Sequence, residues 1–391
     1  MKKRIYLDYA ATTPCDPRVI KAMLPFFYDK FGNSSSSHYF GRQAHEALEA
    51  SRRLIAGVLK VQPEEIIFTA SATESNNLVL KGVAFANQSK GRHILISAVE
   101  HDCVLKSALW LVKQGFQVEQ IPVNKVGLVN PESVAKLLRK ETILVSVIHA
   151  NNEIGTIEPI EKIGEICHQK NVLFHTDASQ SFAKIPLNLE KLKVDLLTAS
   201  SHKIYGPKGA ALIYLRKGVK LEPLLHGGGH EQGWRSSTVN VPAIVGFAKA
   251  VEIYEKTRDK ELKRLKQLKT ILIKGVLKKI NFSYLNGSEE NSLPNIVSFR
   301  FLGVEGESIV MRLDMKGVAV ASGSACSSQT LTPSHVLTAC GLKPAEIHGT
   351  VRFSLGRWTT KEEINYVLQV LPEIIKSLRK ISPFKINRIN Y

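Results

Sequence analysis

Seven short apolar runs fall between Ile66 and about residue 211, most of them separated by stretches with helical spacing. They begin at Ile66-Ile-Phe-Thr69, His93-Ile-Leu-Ile-Ser, Gln117 to Val123, Thr142 to Ala150, and near residues 172, 195 and 211. Repeated alternation of this kind leaves few options: it predicts an α/β chain with a mostly parallel central sheet and helices on both faces. Sheets of that type place ligands at the carboxyl ends of their strands. Residues just beyond each run are therefore the ones to inspect for chemistry.

The run Asp195-Leu-Leu-Thr-Ala-Ser-Ser-His-Lys203-Ile-Tyr-Gly-Pro-Lys-Gly209 delivers a lysine to such an end and then turns sharply. A lysine short of water and near other cations can lose its proton and attack a carbonyl; otherwise Lys203 is a solvated turn residue. Upstream, Val172-Leu-Phe-His-Thr-Asp177-Ala-Ser-Gln180 ends an apolar strand on an acid. A buried carboxylate needs a partner. Asp177 is either the cap of a following helix or the partner of a pyridinium N–H, the latter completing a lysine–aspartate pair typical of pyridoxal phosphate sites.

Other run ends fit the same reading. Ser71-Ala-Thr73-Glu74 stands where a helix starts and could hold phosphate on backbone N–H groups; it also fits a plain capping box. His101 follows the 93 run, either as a hydrogen-bonded core histidine or as a ring lying on an aromatic cofactor. Asn151-Asn152-Glu-Ile-Gly155 offers amides that can donate to a ring oxygen. The Gly227-Gly-Gly-His to Thr238 segment allows close backbone approach.

With 391 residues the chain can bury a large core in two domains. The expected boundaries are 15–255 for the large one, and 1–14 with 256–391 for a smaller α+β one. No apolar run reaches membrane-span length, and the start lacks a signal-peptide apolar region, so a cytoplasmic protein is expected. The net charge of +18 is concentrated: residues 249–280 contribute 11 − 4 = +7 and residues 376–391 contribute +5. The first stretch reads as one solvated face of a long helix. Without a nucleic-acid motif beside it, direct nucleic-acid binding is not expected. Five cysteines without CxxC spacing point away from disulfides and zinc.

Cys326 differs from the other four. It sits in Ala321-Ser-Gly-Ser-Ala-Cys326-Ser-Ser-Gln-Thr-Leu-Thr-Pro333-Ser-His335, a long small-residue loop (about 321–335) that suits a mobile nucleophile. Arg352, in Thr350-Val-Arg352-Phe-Ser-Leu-Gly-Arg357, is either a carboxylate fork or half of a surface ion pair.

Taken together, Tyr6-Leu-Asp-Tyr-Ala-Ala-Thr-Thr-Pro14, Ser201-His-Lys-Ile-Tyr-Gly-Pro-Lys-Gly209, Ser322-Gly-Ser-Ala-Cys326 and Arg352-Phe-Ser-Leu-Gly-Arg357 resemble the cysteine desulfurases of the NifS/IscS type. These are class V aminotransferase-like, fold-type I pyridoxal-phosphate enzymes, and the resemblance covers nearly the whole chain. It implies that Lys203 bonds the cofactor, pyridoxal 5'-phosphate, and that Asp177 pairs with its ring nitrogen. His101 would stack on the ring and assist Lys203 with the substrate proton as a catalytic residue, with Gln180 and Asn152 on the ring-oxygen and substrate side. Thr73, Ser200 and His202 would bind phosphate, joined by Thr238 from a second subunit of a homodimer. Arg352 would take the carboxylate of L-cysteine, with help from Asn33. Cys326 would accept sulfur and pass it to an iron–sulfur scaffold or a tRNA-thiolation carrier. No resident metal is implied, although Cys326 could ligate an iron–sulfur unit transiently. Selenocysteine lyase and inactive scaffold are the alternatives. Ser34, Ser71 and Ser237 depart from the usual pattern, and Cys103 is a second thiol near the expected cofactor.

Overall fold

The computed structural model describes residues 4–323 and 333–383. Its largest sheet has seven strands in the order Ile66–Thr69, Ala211–Leu215, Leu196–Ser200, Leu173–Asp177, Thr142–Ser146, His93–Ser97, Gln117–Ile121. All run parallel except Ala211–Leu215, which is antiparallel to both of its neighbours. Alternate residues enter opposite cores, as a period of two requires. Ile66 and Phe68 join one apolar cluster, while Ile67 joins the cluster on the other face. Helices cover both faces, as the alternation predicts.

A second sheet, Ala321–Ser322, Thr350–Ser354, Ile296–Phe301 and Ser283–Asn286, is antiparallel throughout. Its core draws Ile5 and Leu7 from the chain start together with residues from Leu265 to Leu378. The start is held there because Ile5–Tyr6 pairs with Val318–Ala319. The boundary expected near 255 falls inside one unbroken helix, Val241–Lys279. Asn240 caps this helix and Pro242 opens its first turn. Up to Tyr254 it packs into the first core, and from Leu265 into the second. No helix among the described residues is long and apolar enough to cross a membrane.

A buried ion pair ties the glycine-rich segment to the large sheet. Arg52 donates to both carboxylate oxygens of Glu231 at 2.8 and 2.9 Å and to the Ile66 carbonyl. Glu231 also accepts the Phe68 backbone N–H. Arg52→Ala strands that carboxylate in the interior, and should lower unfolding free energy by about 3–5 kcal/mol. Urea titration with an unchanged m-value is the check.

Candidate active site

The parallel strands converge on a cavity of about 790 Å³ at their carboxyl ends. Lys203, Asp177, His101, Thr73, Asn152, Gln180, His202 and Arg352 all line it. Lys203 closes a single 3-10 turn directly after the Leu196–Ser200 strand. Its Nζ donates to the carbonyls of Ala10 at 2.6 Å and Ala11 at 2.7 Å. The chain start clamps this turn: Thr13 donates to the His202 carbonyl through its N–H and Oγ1, and its Oγ1 accepts the Tyr205 N–H.

Asp177 is buried at the end of its strand. One carboxylate oxygen accepts the Ser179 N–H at 2.8 Å and the other the Asn76 amide at 2.7 Å. No α-helix begins here, so the helix-cap alternative does not hold; the segment after Asp177 is a turn. His101 caps the helix Asp102–Val112 by accepting the Cys103 N–H. Burial pulls its pKa down. His202 is pushed down to about 4, first by burial and then by Lys203, so its ring is neutral at pH 7. Its Nδ1 pairs with Thr12 Oγ1 at 3.1 Å.

Thr73 lies in the first turn of the helix Ala72–Asn87, whose dipole favours an anion. The capping reading of that helix start holds in part. Ser71 caps it, but Glu74 reaches back to the Ala70 N–H and pairs with Arg235 at 2.7 Å. Ser71, a departure from the usual pattern, thus supplies a cap that glycine would lack.

Arg352 is buried and not a surface pair. It donates to the Asn152 carbonyl at 2.8 Å and to Asp8 at 2.9 Å. Three expected residues lie elsewhere. Ser200 is buried but does not line the cavity, and Asn33 and Thr238 are exposed and do not line it either. Asn33 caps its own turn by accepting the Ser35 N–H. Cys326 lies outside the described residues, although Gly323, Pro333, Ser334 and His335 on either side of it line the cavity.

The structure adds residues that sequence reasoning did not single out. Burial pushes Glu100 up to about 8 and Glu153 up to about 6. Glu153 accepts from Ser334 Oγ at 2.6 Å, and His335 Nε2 pairs with the Glu100 carbonyl at 2.8 Å. These contacts fix the chain just after the cysteine loop to the cavity wall. An acid at the end of a strand is a signal that could have flagged Glu100; nothing local marks Asp8 as the partner of Arg352.

The donor set fits pyridoxal phosphate. Gln180 Oε1, Asn152 Oδ1, Ser179 Oγ and Arg352 Nε are buried without a hydrogen-bond partner, and all four residues line the cavity. Unpaired buried polar atoms are costly, and a polar ligand ringed by them relieves that cost. A carboxylate, a lysine and a helix start arranged around one cavity match the pyridine nitrogen, aldehyde and phosphate of that cofactor.

An α/β sheet carrying a strand-end lysine and aspartate around a polar cavity defines the class, and the aminotransferase class-V profile matches residues 5–367. The chain belongs to the class-V aminotransferases, a pyridoxal-phosphate-dependent family. It is 51% identical over 385 residues to the cysteine desulfurase IscS of Dictyoglomus turgidum, covering 98% of both chains. Cysteine desulfurase IscS 1 of Archaeoglobus fulgidus is also 51% identical, over 97% of this chain and 98% of the relative. Among solved structures, a NifS-like protein superposes with a TM-score of 0.90 at 40% identity, covering 96% of this chain and all of that one. SspA in complex with cysteine gives 0.82 at 36% identity, over 91% of this chain and all of that one. Within its family the chain thus falls in the cysteine desulfurase group.

Proposed function

We propose that the protein is a pyridoxal-phosphate-dependent cysteine desulfurase that converts L-cysteine to L-alanine and passes the sulfur, as a persulfide on Cys326, to an acceptor protein. The observation that carries this reading is the convergence of Lys203, Asp177, His101 and Arg352 on one cavity. The cofactor, when bound, supplies an electron sink for the bonds broken at the substrate.

The chain's own residues do the rest. Lys203 would hold the cofactor, and its amine is then the group within reach of the substrate α-proton. Asp177, fixed by Ser179 and Asn76, would keep a proton on the ring nitrogen. Arg352 would bind the substrate carboxylate, for which its unpartnered Nε is a donor. The Cys326 thiolate then attacks the substrate sulfur. An S–S bond forms as the C–S bond breaks, and the carbon keeps that electron pair and takes a proton to become the methyl of alanine.

Thr238 supports a homodimer, since it is exposed and does not line the cavity of its own chain yet is expected at a phosphate. Phe27, Tyr28, Phe31 and Tyr39, each about 60% exposed or more, supply an apolar surface for a second copy. An iron–sulfur scaffold or a tRNA-thiolation carrier would be the sulfur acceptor.

The test is purified protein with pyridoxal phosphate and L-cysteine. Alanine should form, and without reductant one extra sulfur should appear on the Cys326 peptide by mass spectrometry. A cofactor-loaded protein that produces no alanine would refute the reading. Arg352→Lys retains charge but loses the planar fork, and should raise KM for cysteine by roughly 10- to 100-fold, the weight of one charge-assisted bond. Initial rates read this directly.

A further inference from the structure

Cys103 is a half-buried, cavity-lining thiol for which the proposed reaction has no use, yet it sits between two groups that the reaction needs. Its Sγ lies 2.9 Å from His101 Nδ1 and 3.1 Å from the Asn76 amide nitrogen. The same amide nitrogen is 2.7 Å from Asp177. Donor directions in this cluster are forced. The amide nitrogen of Asn76 can only donate, so Sγ and Asp177 accept from it. The backbone N–H of Cys103 can only donate, so His101 Nδ1 accepts it at 3.2 Å. With Nδ1 an acceptor, the 2.9 Å contact is the thiol donating to it, sharing the single Nδ1 lone pair with the backbone N–H.

We propose that Cys103 is a positioning residue: its thiol and its backbone N–H together hold His101 in the neutral form protonated at Nε2, and Asn76 ties this arrangement to Asp177. The inference rests on the proposed placement of His101 beside the cofactor. It assigns His101 the part of an Nε2–H donor and leaves Lys203 to handle the substrate proton. Burial, and next the charge of Asp177, push the thiol up to about 12, so it stays an S–H donor at neutral pH. The charged and titratable groups around His101 are Asp177, Lys203, Asp102 and His335, with Glu100 adjacent in sequence. None of these is altered by a substitution at 103.

The test uses holoenzyme with histidine labelled by nitrogen-15, without cysteine, and reads the His101 imidazole by long-range proton–nitrogen NMR across pH. Cys103→Ala removes the side-chain donor and Cys103→Ser restores one. A hydrogen bond to the neutral ring disfavours the charged form. Cys103→Ala should therefore raise the His101 pKa by about 0.7 unit, roughly a fivefold gain in imidazolium at a given pH. The backbone N–H of residue 103 remains in both variants and keeps Nδ1 an acceptor, and Cys103→Ser should stay near the parent. Parent-like titration of Cys103→Ala would overturn the assignment. Equal shifts in both variants would do so too, because bulk alone would then explain them. The signal is read without turnover, so absence of desulfurase activity would count against the proposed function and leave this test standing.

Discussion

Lys203→Ala should reduce alanine formation by roughly 10²–10⁴-fold or more, the range for removing a positioned proton-transfer group. It should also leave a protein from which borohydride cannot fix the cofactor. Both losses come from one side chain, because the amine that would hold the cofactor is the amine that would take the substrate proton. Fold should survive. Lys203 is anchored by the Ala10 and Ala11 carbonyls at a cavity wall, and the 3-10 turn beneath it is held by backbone and Thr13 contacts that a methyl side chain leaves intact. Thermal unfolding should shift little, whereas the visible absorbance of the bound cofactor should change form. Parent-level turnover in Lys203→Ala would remove the lysine from the chemistry.

Cys326→Ala should bind cysteine and still perturb the cofactor spectrum, yet form alanine on the order of 10³-fold or more slowly in the presence of a thiol reductant, as expected when a covalent nucleophile is removed. No other described cysteine can take its place. Burial pushes the thiols of Cys103, Cys167 and Cys340 up to about 12 and raises that of Cys15. Sulfur transfer needs a thiolate, and these four remain protonated at neutral pH. Rapid alanine formation by Cys326→Ala would mean that sulfur leaves without a protein acceptor.

The large sheet was readable because buried parallel strands appear as apolar runs and chemistry collects at their ends. Lys203, Asp177, His101, Thr73 and Asn152 all follow such runs, and all line the cavity. Element ends were harder. The helix Tyr39–Leu59 starts where His38 caps it by accepting the Gly41 N–H through Nδ1, a capping role histidine seldom fills and so a start with no plain sequence signal. A change of packing partner inside a continuous helix has no local signature, so residue 255 could be read as helical while the handover from one core to the other, between Tyr254 and Leu265, could not be located. Contacts between distant segments were hidden for the same reason. Asp8 with Arg352, Glu153 with Ser334, and Asn76 with Asp177 are each joined only by the fold. Thr238 and Asn33 gave no structural return within a single chain.

Two amines compete for the central role. Burial pushes Lys184 down to about 7, which suits an attacking amine, but it does not line the cavity, and Lys203 does. Borohydride reduction of the protein loaded with pyridoxal phosphate, followed by peptide mass spectrometry, separates them. A pyridoxyl-phosphate adduct on Lys203 is the predicted result; an adduct on Lys184, or none on either, would contradict the account.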